Sequence, residues 1–208
     1  MNEEQRSAAA GARAAIESGA LRGAALLAQI LAIPFVDRDA WVDLALGMPV
    51  PPADAELPRG AVPYLPCGVE EIIAAIREVP VSAGDDLVDL GSGLGRVLIL
   101  AHLLSGAHGR GIEIQDHLVA AGRARCADLG LTGVELVHGD AAETELDGSV
   151  FFFYAPFNGE LLARVARRLE EVARRRPIVV CAVDLALDLP WLAPRAETHG
   201  ALTIYDSR

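Results

Sequence analysis

One stretch sets the frame for the whole chain: Asp86-Leu87-Val88-Asp89-Leu90-Gly91-Ser92-Gly93-Leu94-Gly95-Arg96. It begins as a short apolar run that can bury as a strand, then breaks into glycines. An apolar segment, Val97 to Leu104, follows and is long enough for a helix. A residue without Cβ can take positive φ and lets another group approach the backbone closely. Strand, glycine turn and helix in this order form the βα unit of doubly wound nucleotide-binding folds.

The spacing narrows the ligand. Dinucleotide sites carry G-x-G-x-x-G, with a third glycine that packs the helix on the strand. Here the glycines read G-x-G-x-G, and Arg96 stands where that last glycine belongs. No Gly-Lys-Ser/Thr follows, so the phosphate loop of ATPases is absent. An acidic residue, Asp89, lies two before the first glycine. Glycine turns also join strands to helices without binding anything, so a site needs further residues downstream.

Two follow. Gly109-Arg110-Gly111-Ile112-Glu113-Ile114 reads as a second strand, and Glu113 ends it about 20 residues past the glycines. A doubly wound fold places there the carboxylate that accepts hydrogen bonds from ribose hydroxyls. Val134 to His138 reads as a third strand, followed by Gly139-Asp140-Ala141. Each carboxylate alone could be a solvated side chain or a helix cap. In order, on strand ends that share one rim, the three describe a site.

The remaining elements follow from periodicity and punctuation. Helices are expected over 4–17 and 21–31, the second ended by Pro34. Asp37 or Asp39 can cap a third helix through Leu46, with Trp41, Leu44 and Ala45 as its apolar face and Gly47 as its left-handed stop. Residues 48–66 carry Pro49, Pro51, Pro52, Pro58, Pro63 and Pro66, a density that no regular element survives. Within it, Val62-Pro63-Tyr64-Leu65-Pro66 is apolar enough to lie against protein, either over the pocket or as an extended surface linker. Gly68 to Val79 is an amphipathic helix with Ile72, Ile76 and Val79 on one stripe. Asp116 can cap a helix to Leu129, with Gly130 as its stop. Val150 to Tyr154 is continuously apolar, as a strand buried on both faces should be. A helix over 160–175 and a strand over 178–183 come next, then a loop or helical turn over 185–192. Two strands within 195–207 form a terminal hairpin around Thr198-His199-Gly200.

These features resemble the class I S-adenosylmethionine-dependent methyltransferases, over roughly Val69 to Arg208. The resemblance implies an α/β fold with a doubly wound, mostly parallel seven-stranded sheet, order 3-2-1-4-5-7-6, ending in an antiparallel hairpin. It divides the chain into 1–66, a helical segment with a Pro-rich covering linker, and 67–208, the methyltransferase domain. It implies S-adenosylmethionine as cofactor and S-adenosylhomocysteine as product. Asp89, Gly91, Ser92, Gly93, Gly95, Glu113, Ile114, Asp140, Ala141 and Tyr154 are its cofactor-binding positions. Asp140 would accept from the adenine amino group. In family members that act on planar amines, the fourth strand ends in Asn or Asp, Pro-Pro, then Tyr or Phe. Pro156 and Phe157 match the last two positions, while Tyr154 departs at the first and tells against adenine or glutamine as acceptor. Tyr154 and Asn158 are the candidate catalytic residues, and Tyr64, Pro156 and Phe157 the candidate acceptor contacts. Tyr154 and Phe157 closing the core at a strand end is an equal alternative.

The acceptor itself, a small molecule or a protein side chain, has no signature in the sequence. A nicotinamide oxidoreductase and a non-catalytic S-adenosylmethionine-binding protein are the competing readings. A formal net charge of −11 disfavours nucleic acid as partner. The arginines within 164–176 read as a solvated helix face balanced by Glu160, Glu170 and Glu171. Cys67, Cys126 and Cys181 are widely spaced and odd in number, which suits buried thiols in a reducing cytoplasm. His102, His108, His117, His138 and His199 are scattered and suggest no metal site. The polar start is unlike a secretory leader, and the apolar run near Ala24 to Ile33 is too short to cross a bilayer.

Overall fold

A computed structural model describes residues 1–196 and 200–208. The N-terminal part holds α1 (Glu3–Glu17), α2 (Gly23–Ala32), a 3-10 turn (Phe35–Asp37) and α3 (Arg38–Leu46). After an irregular strap come α4 (Val69–Glu78), β1 (Asp86–Leu90), α5 (Arg96–Ser105), β2 (His108–Glu113), α6 (Asp116–Asp128) and β3 (Val134–His138). The chain closes with β4 (Val150–Tyr154), α7 (Gly159–Ala173), β5 (Val179–Val183), β6 (Leu192–Pro194) and β7 (Leu202–Ser207). The seven strands form one sheet in the order β3-β2-β1-β4-β5-β7-β6, as the resemblance implies. β1 to β5 pair in parallel, and β7 runs antiparallel to β5 and β6.

Alternation along each strand divides the core between two faces. Leu87, Phe152, Cys181 and Val183 face the cluster shared with α1 to α6. Val88, Leu90, Phe151, Phe153 and Val180 face the cluster shared with α7. Phe151, Phe152 and Phe153 are each at most 1% exposed, which is why β4 reads as an unbroken apolar run. Each such ring contributes on the order of 2–3 kcal/mol by leaving water. Among the described residues, no helix is long and apolar enough to cross a membrane.

Several local expectations are corrected. Asp37 and Asp116 do not cap with their side chains. The Asp37 carboxylate accepts from the chain's own N-terminus and from Gln5, and Asp116 is the first residue of α6 rather than its cap. Leu44 is 41% exposed, while Val42 and Leu46 complete the apolar face of α3 beside Trp41 and Ala45. The buried stripe of α4 is Val69, Ile72, Ile73 and Ala75; Ile76 and Val79 are only half-buried. The first hairpin strand, β6, begins at Leu192, earlier than expected, and the turn expected at Thr198-His199 lies outside the described residues. The arginines of α7 and its end are balanced from two sides: Glu170 pairs with Arg174 as expected, and the loop before β4 adds further partners. Arg164 pairs with Glu143, Arg176 with Asp147, and Arg168 donates to the carbonyls of Ala142 and Thr144.

Candidate functional site

The carboxyl ends of β1, β2, β3 and β4 open on a cleft, in the place where open α/β sheets bind ligands. Asp89, Gly91, Ser92, Glu113, Ile114, Asp140, Ala141 and Tyr154 line it, and Tyr64, Pro156 and Phe157 close it from the strap and the β4 loop. Three of the singled-out residues lie off this lining. Gly93 is covered by Tyr64, Gly95 starts α5 against Leu136, and Asn158 stands at the N-terminus of α7.

The floor is set by β1. Asp89 pairs in register with Gly111 and Phe152, so its side chain is carried into the interior. It is 3% exposed and has no hydrogen-bond partner among the described residues. Burial, and then repulsion from Glu113, push its carboxyl up to about 8. At neutral pH the free protein therefore holds Asp89 largely protonated. Beyond it the backbone turns at Gly91 (φ 87°) and Gly93 (φ 53°). The amides of Gly91 and Ser92 donate to the Ile112 carbonyl at 2.8 and 3.2 Å, which ties the loop to β2. Both glycines are needed for space as well. A Cβ at Gly91 would collide with the Pro156 ring, and one at Gly93 with the Tyr64 ring. The buried Ser92 hydroxyl has no partner among the described residues.

Glu113 is fixed by two backbone donors: Gly93 N–H at 2.9 Å on one carboxylate oxygen and Gln115 N–H at 2.9 Å on the other. Glu113 itself lines the cleft. Asp140 accepts from Ala142 N–H at 2.8 Å, which sets the turn after β3. At the end of β4, burial and then the nearby Asp184 raise the Tyr154 phenol, so it stays a proton donor. Ala155 and Asp184, which follow β4 and β5, take left-handed backbone (φ 37° and 51°) and turn the chain away at the rim. The Phe157 ring tilts against Phe153, with centroids 6.5 Å apart.

The strap over 54–66 is fastened across this cleft. Gln115 donates to the Asp54 carboxylate at 2.8 Å and accepts from Ala55 N–H at 2.8 Å. Tyr64 N–H donates to the same Asp54 carboxylate at 3.0 Å. On the far side, Val62 N–H donates to the Pro156 carbonyl at 3.0 Å, and Asn158 N–H to that of Gly60 at 2.9 Å. Burial pushes the Tyr64 phenol up to about 12. Sequence reasoning missed Gln115, Asp54 and Asp184, because none belongs to a motif. It also read Arg96 only as a missing glycine. Arg96 is 3% exposed and joins Asp39, Asp43 and the Cys67 carbonyl.

The cleft thus brings Asp89, Glu113 and Asp140 to one rim beside the glycine loop. No family model and no curated protein matches the chain. Solved structures do. An RNA methyltransferase from Salinibacter ruber, in complex with S-adenosyl-L-homocysteine, is 30% identical over 69% of this chain and 92% of that one, with a TM-score of 0.56. A variant of MtNAS in complex with S-adenosylmethionine is 16% identical over 66% of this chain and 62% of that one, TM-score 0.54. TrmN from Thermus thermophilus is 16% identical over 66% and 48%, TM-score 0.51. The last two likenesses speak for the fold alone.

Proposed function

The chain belongs to the class I S-adenosylmethionine-dependent methyltransferases, and from that premise we propose how its cleft holds the donor and where the acceptor meets it. It is an enzyme, and S-adenosylmethionine is its methyl donor. The donor carries its methyl on a positively charged sulfur, so the group arrives activated. What is left to the protein is to hold the partners in line and keep water out.

In this reading Asp89 accepts from the donor's ammonium, Glu113 from the ribose hydroxyls and Asp140 from the adenine amino group. Gly91, Ser92, Gly93 and Gly95 bring the backbone close, and Ile114 and Ala141 flank the ring. The observation that carries the assignment is the Asp89 carboxyl, buried on the cleft floor without a partner, beside the orphaned Ser92 hydroxyl. A buried group of this kind costs stability unless a ligand satisfies it. Tyr154 orients the acceptor, Tyr64, Pro156 and Phe157 wall its path, and Asn158, at the N-terminus of α7, holds the strap through its amide on the Gly60 carbonyl. We further propose that residues 1–66 act as a cover on the 67–208 domain. A cytoplasmic location suits three free, buried cysteines. The acceptor is a small molecule or a protein side chain. RNA is disfavoured by the net charge of −11 and by the local engagement of Arg164, Arg168 and Arg176.

Calorimetric titration with S-adenosylhomocysteine, with NAD as control, tests this. Saturable binding of the former alone is expected, and Asp89→Ala and Glu113→Ala should each weaken it by about 1–3 kcal/mol. Unchanged affinity in folded variants would sink the site assignment. Binding of NAD alone would sink the choice of donor.

A further inference from the structure

The floor of the donor cleft holds two buried polar groups that have no hydrogen-bond partner among the described residues. One is the Asp89 carboxyl, and the other is the Ser92 hydroxyl. Strand β2 accounts for this corner. Gly111 is the in-register neighbour of Asp89, and the place its side chain would take is filled by Ser92 and Leu136. Further along β2 stands Glu113, each of whose oxygens accepts a backbone N–H. A proton shared between these two carboxyls therefore sits on Asp89. Among the described residues Arg96 is the one cation on the cleft lining, and its guanidinium is committed to Asp39, Asp43 and the Cys67 carbonyl.

We propose that donor loading is a proton exchange: the donor's ammonium displaces a proton that Asp89 holds in the free protein, so the cleft loads as pH rises and unloads as it falls. The inference rests on the donor-site reading above. Geometry carries it. A carboxyl with no donor in reach, a second carboxyl beside it and no free cation has nothing to hold its charge until a cation arrives. Burial and Glu113 raise it to about 8, in agreement. Below that value the free protein carries a proton that the complex has lost, so donor affinity rises with pH. The other groups around the corner do not mimic this exchange. The strap presents Tyr64 and Cys67, and the end of β4 presents Tyr154; burial raises all three, so they keep their protons through neutral pH. Glu71 of α4 adds a carboxylate near Cys67 and Tyr154. Asp140 and Asp184 follow β3 and β5, each one strand beyond the neighbours of β1.

The exchange balances. The ammonium nitrogen keeps its three hydrogens and points one at Asp89. The Asp89 proton leaves for the buffer, and the charge it uncovers is met by the ammonium. The Ser92 hydroxyl has lone pairs free for the same ammonium. A ligand with the nucleoside but no ammonium leaves the proton where it is.

The test is calorimetric titration of the full chain with S-adenosylhomocysteine near neutral pH, repeated in buffers of different ionisation enthalpy. The slope of the observed heat against that enthalpy counts the protons released. The second probe is 5′-methylthioadenosine, which has the nucleoside and no ammonium. Release of about one proton per S-adenosylhomocysteine is expected at about pH 7, and close to none with 5′-methylthioadenosine. Affinity for S-adenosylhomocysteine should tighten by about tenfold per pH unit between about pH 6 and 7.5, while that for 5′-methylthioadenosine stays flat. Asp89→Asn should bind S-adenosylhomocysteine without proton release and with an affinity that no longer follows pH over this range. The comparison of the two ligands on the parent decides the matter even where that variant folds poorly. S-adenosylhomocysteine binding without proton release would overturn the proposal and leave the donor site standing. Equal release with both ligands, or release retained by Asp89→Asn, would do the same. Failure of S-adenosylhomocysteine to bind throughout this range would bring down the donor site, and this inference with it.

Discussion

Asp89, proposed above to hold the donor's ammonium, carries a cost in the free protein. Its carboxyl is buried and has no hydrogen-bond partner among the described residues, and its pKa is raised to about 8 from an ordinary value near 3.9. Between about pH 4 and pH 8 the folded state keeps a proton that the unfolded chain has released, so stability falls as pH rises through that window. Below it both states are protonated, and above it the full penalty of a buried charge remains. Asp89→Asn removes the titration and keeps the shape. The ligand-free variant should therefore outlast the parent at pH 8 by on the order of 2 kcal/mol, or roughly 4–8 °C in Tm, with little difference near pH 4. Thermal melts of both proteins across pH 4–8 check this. Parallel Tm–pH curves would mean that the ionised carboxylate is at home in the free protein. The variant should also bind S-adenosylhomocysteine less tightly, because a neutral amide pairs poorly with an ammonium. Asp89 itself was legible from its place two before the glycines, but its missing partner was not. Spacing marks where a residue stands on the strand, while solvation depends on what the rest of the fold brings near.

The strap over 54–66 sets what elements can be read from sequence against what cannot. Its prolines ruled out helix and strand, and the structure has neither over 54–66. Its path across the cleft depends on Gln115, 60 residues on from Ala55, which no local pattern signals. Strands were legible where burial on both faces leaves an unbroken apolar run, as at Val150 to Phe153. β6 was misplaced because three residues at a sheet edge, ending in Pro194, carry too little pattern. The strap's fastening has a measurable consequence. Gln115→Ala removes the two side-chain bonds to Asp54 and Ala55 but leaves the Gln115 amide on Glu113. It should therefore release S-adenosylhomocysteine about tenfold faster, while leaving thermal stability within about 1 kcal/mol. Stopped-flow displacement reads the rate. An unchanged rate would mean that the strap lies over the cleft without retaining what is in it.

At the scale of the whole molecule, Arg96 turns from a departure into a connection. The position where a dinucleotide fold packs a glycine here carries a buried guanidinium at the start of α5, one residue past the glycine loop. Its bonds reach Asp39 and Asp43 on α3 and the Cys67 carbonyl at the foot of the strap. Helix α3, the strap and the donor loop thus meet on one side chain. Nearby, α2 packs on α5, and the buried residues of α1 to α3 belong to the same apolar cluster as Leu98, Val119 and Ile204. A cover that shares its core with the sheet should not melt on its own, so the parent should unfold in one urea transition. Arg96→Met keeps the bulk and removes the charge, leaving Asp39 and Asp43 facing each other without a cation. Asp39 and Asp43 are 59% and 41% exposed, so water takes over part of the lost pairing and the cost should be about 1–2 kcal/mol. Because the cost falls at the seam, the linker over 48–66 should become the first site of limited proteolysis, before any cut within β1 to β5. Donor affinity should fall with it, since α5 and the strap both border the cleft. Cleavage that begins in the sheet, or a strap as well protected as in the parent, would show that the N-terminal helices stay docked through their apolar contacts alone.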